Sequence, residues 1–358
     1  MVVILVLCAC FYLICSIIAL KVYLKTFGRV EEFRDDRFYP YITWKEVGKS
    51  GYSREELYFD SGGNRLQGFI YGKANSKGLI VISQGMGRSV DTYLPMIMYF
   101  VDKGWRVFAF NNTGVGGSEG KGARGLYQSL VDLDAALTYI ESSSGGEPRL
   151  SGSAEGSGDL PIMLAGHSWG GFAVCAVLNY NHRVNAVVSF AGYNSGREVI
   201  REKGKQLTGP VYHTAAPVLW AIQKKNFGNV MKITAVDGIN KSGVPVMIVQ
   251  SSNDDTIPAN TTSIYAQRQE ITNPNVEIVF REGEDSPGHS YVFCSKRQKE
   301  YMEKTMANWE VYKAGNNKAS QARWAAEIKF DKALANELDA ELMERIDEFL
   351  YARVERSL

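Results

Sequence analysis

One pentapeptide narrows the folds open to this chain more than any other feature: Gly166-His167-Ser168-Trp169-Gly170. Before it runs Pro161-Ile162-Met163-Leu164-Ala165, short, apolar and strand-like; after it, Gly171-Phe172-Ala173-Val174-Cys175-Ala176-Val177-Leu178 reads as a buried helix. A strand therefore turns sharply into a helix with a serine at the apex. Such a turn crowds its own backbone, so the positions two before and two after the serine tolerate no bulky side chain. The turn also presents the hydroxyl, which makes Ser168 a candidate nucleophile.

A second stretch, Gly116-Gly117-Ser118-Glu119-Gly120, has the same spacing but not the same context. It lies in a loop several residues past its strand, and Lys121-Gly122-Ala123-Arg124-Gly125 is poorly suited to open a helix at once. Ser118 reads as a loop residue.

Alternation continues on both sides of the pentapeptide. Glu56–Asp60 and Leu66–Tyr71, separated by Gly62-Gly63-Asn64, read as a β-hairpin. Gly78–Ser83 is a strand, Asp91–Asp102 a helix, Arg106–Phe110 a strand, and Leu126–Glu141 a helix with Leu130, Leu133, Leu137 and Ile140 on one face. Ala186–Phe190, Val244–Gln250 and Val276–Phe280 are further strands. The pattern implies an α/β fold, a mostly parallel sheet with helices on both faces. Ser142–Leu160, rich in Ser, Gly and Glu, reads as a surface loop. Residues 194 to about 243 form an insertion, and about 290–329 a second, charged and helical one. Leu334, Leu338, Leu342, Ile346, Phe349 and Leu350 mark one stripe of a closing amphipathic helix.

Val2–Leu20 is uncharged, and as a helix would span about 28 Å, near the hydrocarbon thickness of a bilayer. No Lys or Arg precedes it and no A-x-A site follows, which favours an uncleaved single-pass anchor over a signal peptide. The expected organisation is an anchor over 1–24, a charged and aromatic juxtamembrane connector over 25–54, and one domain over 55–358. Lys21, Lys25, Arg29, Arg34 and Arg37 follow the apolar run, which places the domain on the cytoplasmic side.

Composition excludes other classes. Lys+Arg 40 against Asp+Glu 39 leaves a net charge of +1, and no basic stripe is interleaved with aromatics, so nucleic acid is not an expected partner. Three of the five cysteines lie in the apolar run, and Cys175 and Cys294 alone form neither a disulfide framework nor a metal site. No metal or cofactor is expected.

A serine hydroxyl needs a base to take its proton and a carboxylate to orient that base. Of four histidines, His167 lies inside the turn and points away from the serine's side, His182 follows the next helix as a solvated cap, and His213 lies in the first insertion. His289, in a loop after the Val276–Phe280 strand, is at the carboxyl edge where parallel sheets place their chemistry, and is the expected base. Asp254 and Asp255 both follow the Val244–Gln250 strand at that edge, one as orienting carboxylate and the other as a helix cap. Backbone N–H groups of Trp169 and of Met86, in Gln84-Gly85-Met86-Gly87, are the candidate donors to an oxyanion.

In this order, the residues resemble the α/β-hydrolase superfamily, in particular its serine aminopeptidase and lysophospholipase-like (monoacylglycerol lipase-like) branch, over about residues 55–350. Gly166-x-Ser168-x-Gly170 matches the nucleophile elbow and His289 the catalytic histidine. Asp254, four residues before Pro258, matches the branch's carboxylate motif better than Asp255, and Gly114-x-Gly116-x-Ser118 its structural turn. Two departures stand out: Gln84-Gly85 replaces the usual His-Gly, and Asn111 and Thr113 replace Asp and Arg in the turn. The resemblance implies that the 194–243 insertion is a cap roofing the substrate pocket. The implied activity is that of a membrane-anchored serine hydrolase cleaving carboxylic esters, with acyl-chain or lipid-like esters favoured by the anchor and the apolar cap. The alternatives are a serine aminopeptidase-type peptidase and a non-catalytic scaffold on the same fold. The first needs acidic residues in the cap, where Arg197, Arg201, Lys203, Lys205, Lys224 and Lys225 stand instead.

Overall fold

The computed structural model describes residues 1–30, 40–142, 159–283, 286–314 and 330–354. Eight strands form one sheet: β1 (Arg54–Ser61), β2 (Asn64–Tyr71), β3 (Leu79–Ser83), β4 (Arg106–Phe110), β5 (Ile162–His167), β6 (Ala186–Phe190), β7 (Val246–Ser251) and β8 (Val276–Arg281). Eleven helices are labelled in chain order: α1 (Val2–Thr26), α2 (Trp44–Val47), α3 (Leu94–Asp102), α4 (Gln128–Glu141), α5 (Trp169–Ala176), α6 (Gly196–Thr208), α7 (Tyr212–Phe227), α8 (Ala235–Ser242), α9 (Lys296–Ala314), α10 (Lys332–Ala335) and α11 (Ala340–Val354).

The strand order is β1-β2-β4-β3-β5-β6-β7-β8. The opening hairpin closes at Ser61↔Asn64 and joins β4 antiparallel, while every later pairing is parallel. Strands β3 to β7 are buried along their whole length, so their sequences are continuous apolar runs. Alternate side chains feed two cores. Leu79 and Val81 join Leu130, Leu133 and Leu137 of α4 and Phe172 of α5 on one face. Ile80 and Ile82 join Ile97 and Phe100 of α3 and Leu342, Ile346 and Leu350 of α11 on the other. Each such buried side chain contributes about 1.5–3 kcal/mol.

Two expected elements differ in detail. The Asp91–Asp102 helix begins as a 3₁₀ turn, Val90–Tyr93, before α3. The closing stripe is not one helix. It breaks between α10 and α11, where Asp339 donates its N–H to Phe293 O and its carboxylate accepts the N–H of Leu342. Apolar periodicity runs through that break because both pieces pack inward.

Of the 194–243 interval, α6 and α7 are followed by α8, which packs on α5; a Cβ at Gly238 would lie 2.3 Å from Cys175 O. Within 290–329 the described part includes α9, whereas 315–329, most of the 142–160 loop, and connector residues 31–39 lie outside the described residues.

Helix α1 exposes its apolar side chains from Met1 to Leu7 and buries Cys15 and Tyr23 on the face that packs along α7. Its far end is stitched to the domain. Tyr23 Oη donates to Arg124 O and accepts from Gln223 Nε2. The Arg29 guanidinium donates to the carbonyls of Gly116, Ser118 and Gly120, and Val30 pairs with the Gly114–Gly116 backbone.

Candidate active site

Ser168 sits between β5 and α5 with φ 57° and ψ −110°, one of two non-glycine residues with positive φ among the described residues. That conformation is strained and is held from several sides. The Ser168 N–H donates to Phe190 O at 2.8 Å, tying the turn to β6. A Cβ at Gly166 would lie 2.3 Å from Gly170 O, and one at Gly170 would lie 2.0 Å from Ser83 O. Both flanking glycines are therefore steric requirements of the turn, as its sequence suggests.

His289 follows β8, and its loop turns at Gly288 (φ 77°), whose N–H donates to Ser251 Oγ at 2.9 Å. Its Nε2 lies 2.8 Å from Ser168 Oγ and its Nδ1 lies 2.8 Å from Asp254 Oδ2. The carboxylate only accepts, so Nδ1 carries the hydrogen and the Nε2 lone pair faces the serine hydroxyl. Ser168, Asp254 and His289, distant in sequence, thus form one hydrogen-bonded run at the carboxyl edge of the sheet.

The two acids differ in burial. The Asp254 side chain is fully buried, and its Oδ1 accepts the N–H groups of Thr256 (2.9 Å) and Ile257 (2.7 Å). Its Oδ2 also accepts from Gln250 Nε2 at 3.2 Å. Counting His289, four donors meet this one carboxyl group. Asp255 is exposed, and its backbone carbonyl accepts from Lys203 of α6.

The two candidate oxyanion donors lie at the same edge, since β3 and β5 are neighbours with Ser83 opposite Gly166. Trp169 opens α5, so its N–H has no helical acceptor, and Met86 lies in a tight turn closed by Arg88 N–H to Gly85 O. Among the described residues neither N–H finds an acceptor. The replacement at Gln84 is buried, with its Oε1 accepting from Asn112 Nδ2.

Asn111 and Thr113 also have buried partners. Asn111 Oδ1 caps the Val90 N–H, while the Thr113 N–H and hydroxyl both meet Asp132. Burial raises the Asp132 carboxyl, opposed by its hydrogen bonds to Thr113, Gln128 and Ser61. Ser118 is a buried turn residue, its Oγ donating to Asn111 O.

The remaining histidines lie apart from the reacting run in different ways. His213 is exposed on α7. His182 is not a solvated cap, because its ring is held between Asp134 and Glu141 at 2.8 and 2.9 Å. His167 is buried, with Nδ1 3.0 Å from Tyr93 Oη and Nε2 3.0 Å from the His289 carbonyl. That contact was not legible in the sequence, where only its place beside the serine marked it. Among the described residues no group of three or more His, Cys, Asp or Glu could hold a metal ion.

Two family models match the chain: serine aminopeptidase, S33, over residues 74–236, and the prolyl oligopeptidase family over 161–317. No curated protein matches it in sequence. Among solved structures it is similar to an esterase of Pyrococcus furiosus, at 17% identity and TM-score 0.51, over 74% of this chain and 91% of that one. It is also similar to Est1E of Butyrivibrio proteoclasticus with ferulic acid bound, at 17% identity and TM-score 0.46, over 66% and 91% of the two chains. Mouse alpha/beta hydrolase domain-containing protein 10 matches at 14% identity and TM-score 0.46, over 71% and 98%.

Proposed function

We propose that this chain, which matches two serine-peptidase family models over part of its length and shares its fold with a solved esterase, is a membrane-anchored serine hydrolase cleaving carboxylic esters through an acyl-enzyme. The observation that carries this reading is the pair of 2.8 Å contacts joining Ser168, His289 and Asp254. Ser168 Oγ attacks the ester carbonyl as its proton passes to His289 Nε2. Asp254 holds the imidazole and stabilises the imidazolium. The N–H groups of Met86 and Trp169 receive the oxyanion, an interaction of a kind worth roughly 10²–10³ in rate per donor. Collapse breaks the C–O bond and returns the proton to the departing alcohol. Water, deprotonated by the same His289, then attacks the acyl-serine and releases the acid.

Helix α1 has 25 residues and so spans about 37 Å, enough for a tilted crossing. Lys21, Lys25 and Arg29 beyond the apolar run favour a cytoplasmic domain. Because α1 packs along α7, the cap stands next to the bilayer, and this favours acyl-chain, lipid-like esters. No nucleic acid or cofactor enters the reading.

Both matched family descriptions name peptidases, and the serine aminopeptidase match favours a second reading, a peptidase releasing N-terminal residues. A free amine needs carboxylates to receive it. In α6 and α7 Glu198 and Glu202 are outnumbered by Arg197, Arg201, Lys203, Lys205, Lys224 and Lys225. Hydrolysis of p-nitrophenyl esters of increasing chain length, beside aminoacyl p-nitroanilides, separates the two. Ester turnover that rises with chain length is expected. Turnover confined to the anilides would replace this reading with the peptidase, and turnover confined to acetyl esters would remove the lipid.

A further inference from the structure

His167 takes no part in the chemistry assigned to Ser168, His289 and Asp254, yet its ring is buried with both nitrogens engaged. The hydrogens in its run have one consistent arrangement. The His289 carbonyl only accepts, so His167 Nε2 carries the hydrogen and Nδ1 presents a lone pair. Tyr93 Oη accepts the Gly85 N–H at 2.8 Å and turns its own hydrogen to that lone pair. Burial pushes the His167 pKa down to about 3, with the charge of His289 acting the same way and the hydrogen bond to the His289 carbonyl opposing it, so the ring stays neutral at ordinary pH.

The run ties together parts of the site that are remote in sequence. Gly85 immediately precedes Met86 in the loop after β3; Tyr93 precedes α3; His167 ends β5; His289 is in the loop after β8. The close fit leaves little slack. A Cβ at Gly85 would lie 3.0 Å from Tyr93 Oη and 3.3 Å from His167 Nδ1. The His167 and His289 rings lie 5.0 Å apart, and Phe293 meets His167 edge-on at 5.4 Å.

We propose that His167 is a positioning residue, whose Nε2–H holds the His289 backbone while Tyr93 couples the same ring to the oxyanion loop at Gly85. One buried imidazole then sets the general base and the Met86 amide against the elbow that carries Ser168. The inference rests on the reading of Ser168 and His289 as reacting groups. Its physical basis is that displacing a reacting group by about 1 Å can cost 10²-fold in rate. An apolar side chain of similar size would fill the space but leave the Tyr93 hydroxyl and the His289 carbonyl without their partner.

The test uses the purified full-length protein in detergent, with p-nitrophenyl ester turnover and the rate of fluorophosphonate labelling as readouts. His167→Leu should lower kcat and the labelling rate about 10- to 100-fold, with KM changed less than about twofold. His167→Gln, whose amide can still donate to the His289 carbonyl, should recover much of that loss. Tyr93→Phe removes a single oxygen, so it carries the test if the leucine variant fails to fold, and it should also lower kcat. Wild-type kcat in a folded His167→Leu or in Tyr93→Phe overturns the proposal, as does a folded glutamine variant no better than the leucine one. Those outcomes leave the serine-hydrolase reading standing. A wild-type protein that neither labels nor turns over removes that reading, and this proposal with it.

Discussion

Gly170 has no room for a methyl group, because the Ser83 carbonyl occupies its place at 2.0 Å. Gly170→Ala should therefore cost about 1–3 kcal/mol through overpacking and, by pushing α5 off β3, lower esterase kcat more than about tenfold. Thermal melting and turnover of the same preparation check both effects, and a variant with unchanged melting and activity would contradict the geometry. His182 offers a prediction in pH. Burial works against its charge, but hydrogen bonds to Asp134 and Glu141 and their charges together raise its pKa above 6.5. The stabilisation is then complete below about pH 6.5 and is lost as pH rises through the folded value. The melting gap between wild type and His182→Gln should be widest in acid and narrow toward alkaline pH; a gap independent of pH would contradict this. Ser168 and His289 were legible because an elbow and a loop after a strand each leave a local mark. Asp254 was preferred over Asp255 only through its spacing to Pro258 in a resemblance; the physical difference, burial and the amides of Thr256 and Ile257, leaves no mark in the sequence. Tyr93 left no local mark, because its partner at His167 is 74 residues away.

At the scale of elements, the sheet was the most legible part, since buried parallel strands need apolar runs and the opening hairpin needs its glycines. The helix ends were less so. Asp339, between α10 and α11, donates its N–H to the remote Phe293 carbonyl, which periodicity does not register. The docking of α1 was also hidden, because Tyr23 looks like an anchor residue, and Phe27 and Arg29 like connector residues, until Arg124, Gln223 and the Gly116–Gly120 carbonyls stand beside them. A chain beginning at residue 21 keeps those contacts, whereas one beginning at residue 31 loses them and uncovers the surface beneath Tyr23 and Phe27. Each of these aromatic side chains is worth about 1.5–3 kcal/mol when buried. The longer chain should leave the membrane fraction and melt several degrees above the shorter one. Equal melting temperatures would show that the residues after the apolar run contribute nothing to the domain.

For the whole molecule, the sheet order puts the ends of β3, β5, β7 and β8 on one edge, so that residues spread from Met86 to His289 meet there. The apolar start of α1 is exposed, and α7, against which the helix packs, carries both apolar and basic side chains. The lipid-like ester proposed above as substrate rests on that arrangement alone. The most direct measurement is covalent: incubate the full-length protein with a fluorophosphonate, digest it, and locate the adduct by mass spectrometry. The expected result is a single phosphonylated peptide with the label on Ser168, formed far more slowly in His289→Ala and absent in Ser168→Ala. An adduct elsewhere, or equal labelling of all three proteins, would mean that the hydroxyl, imidazole and carboxylate lie together without working together.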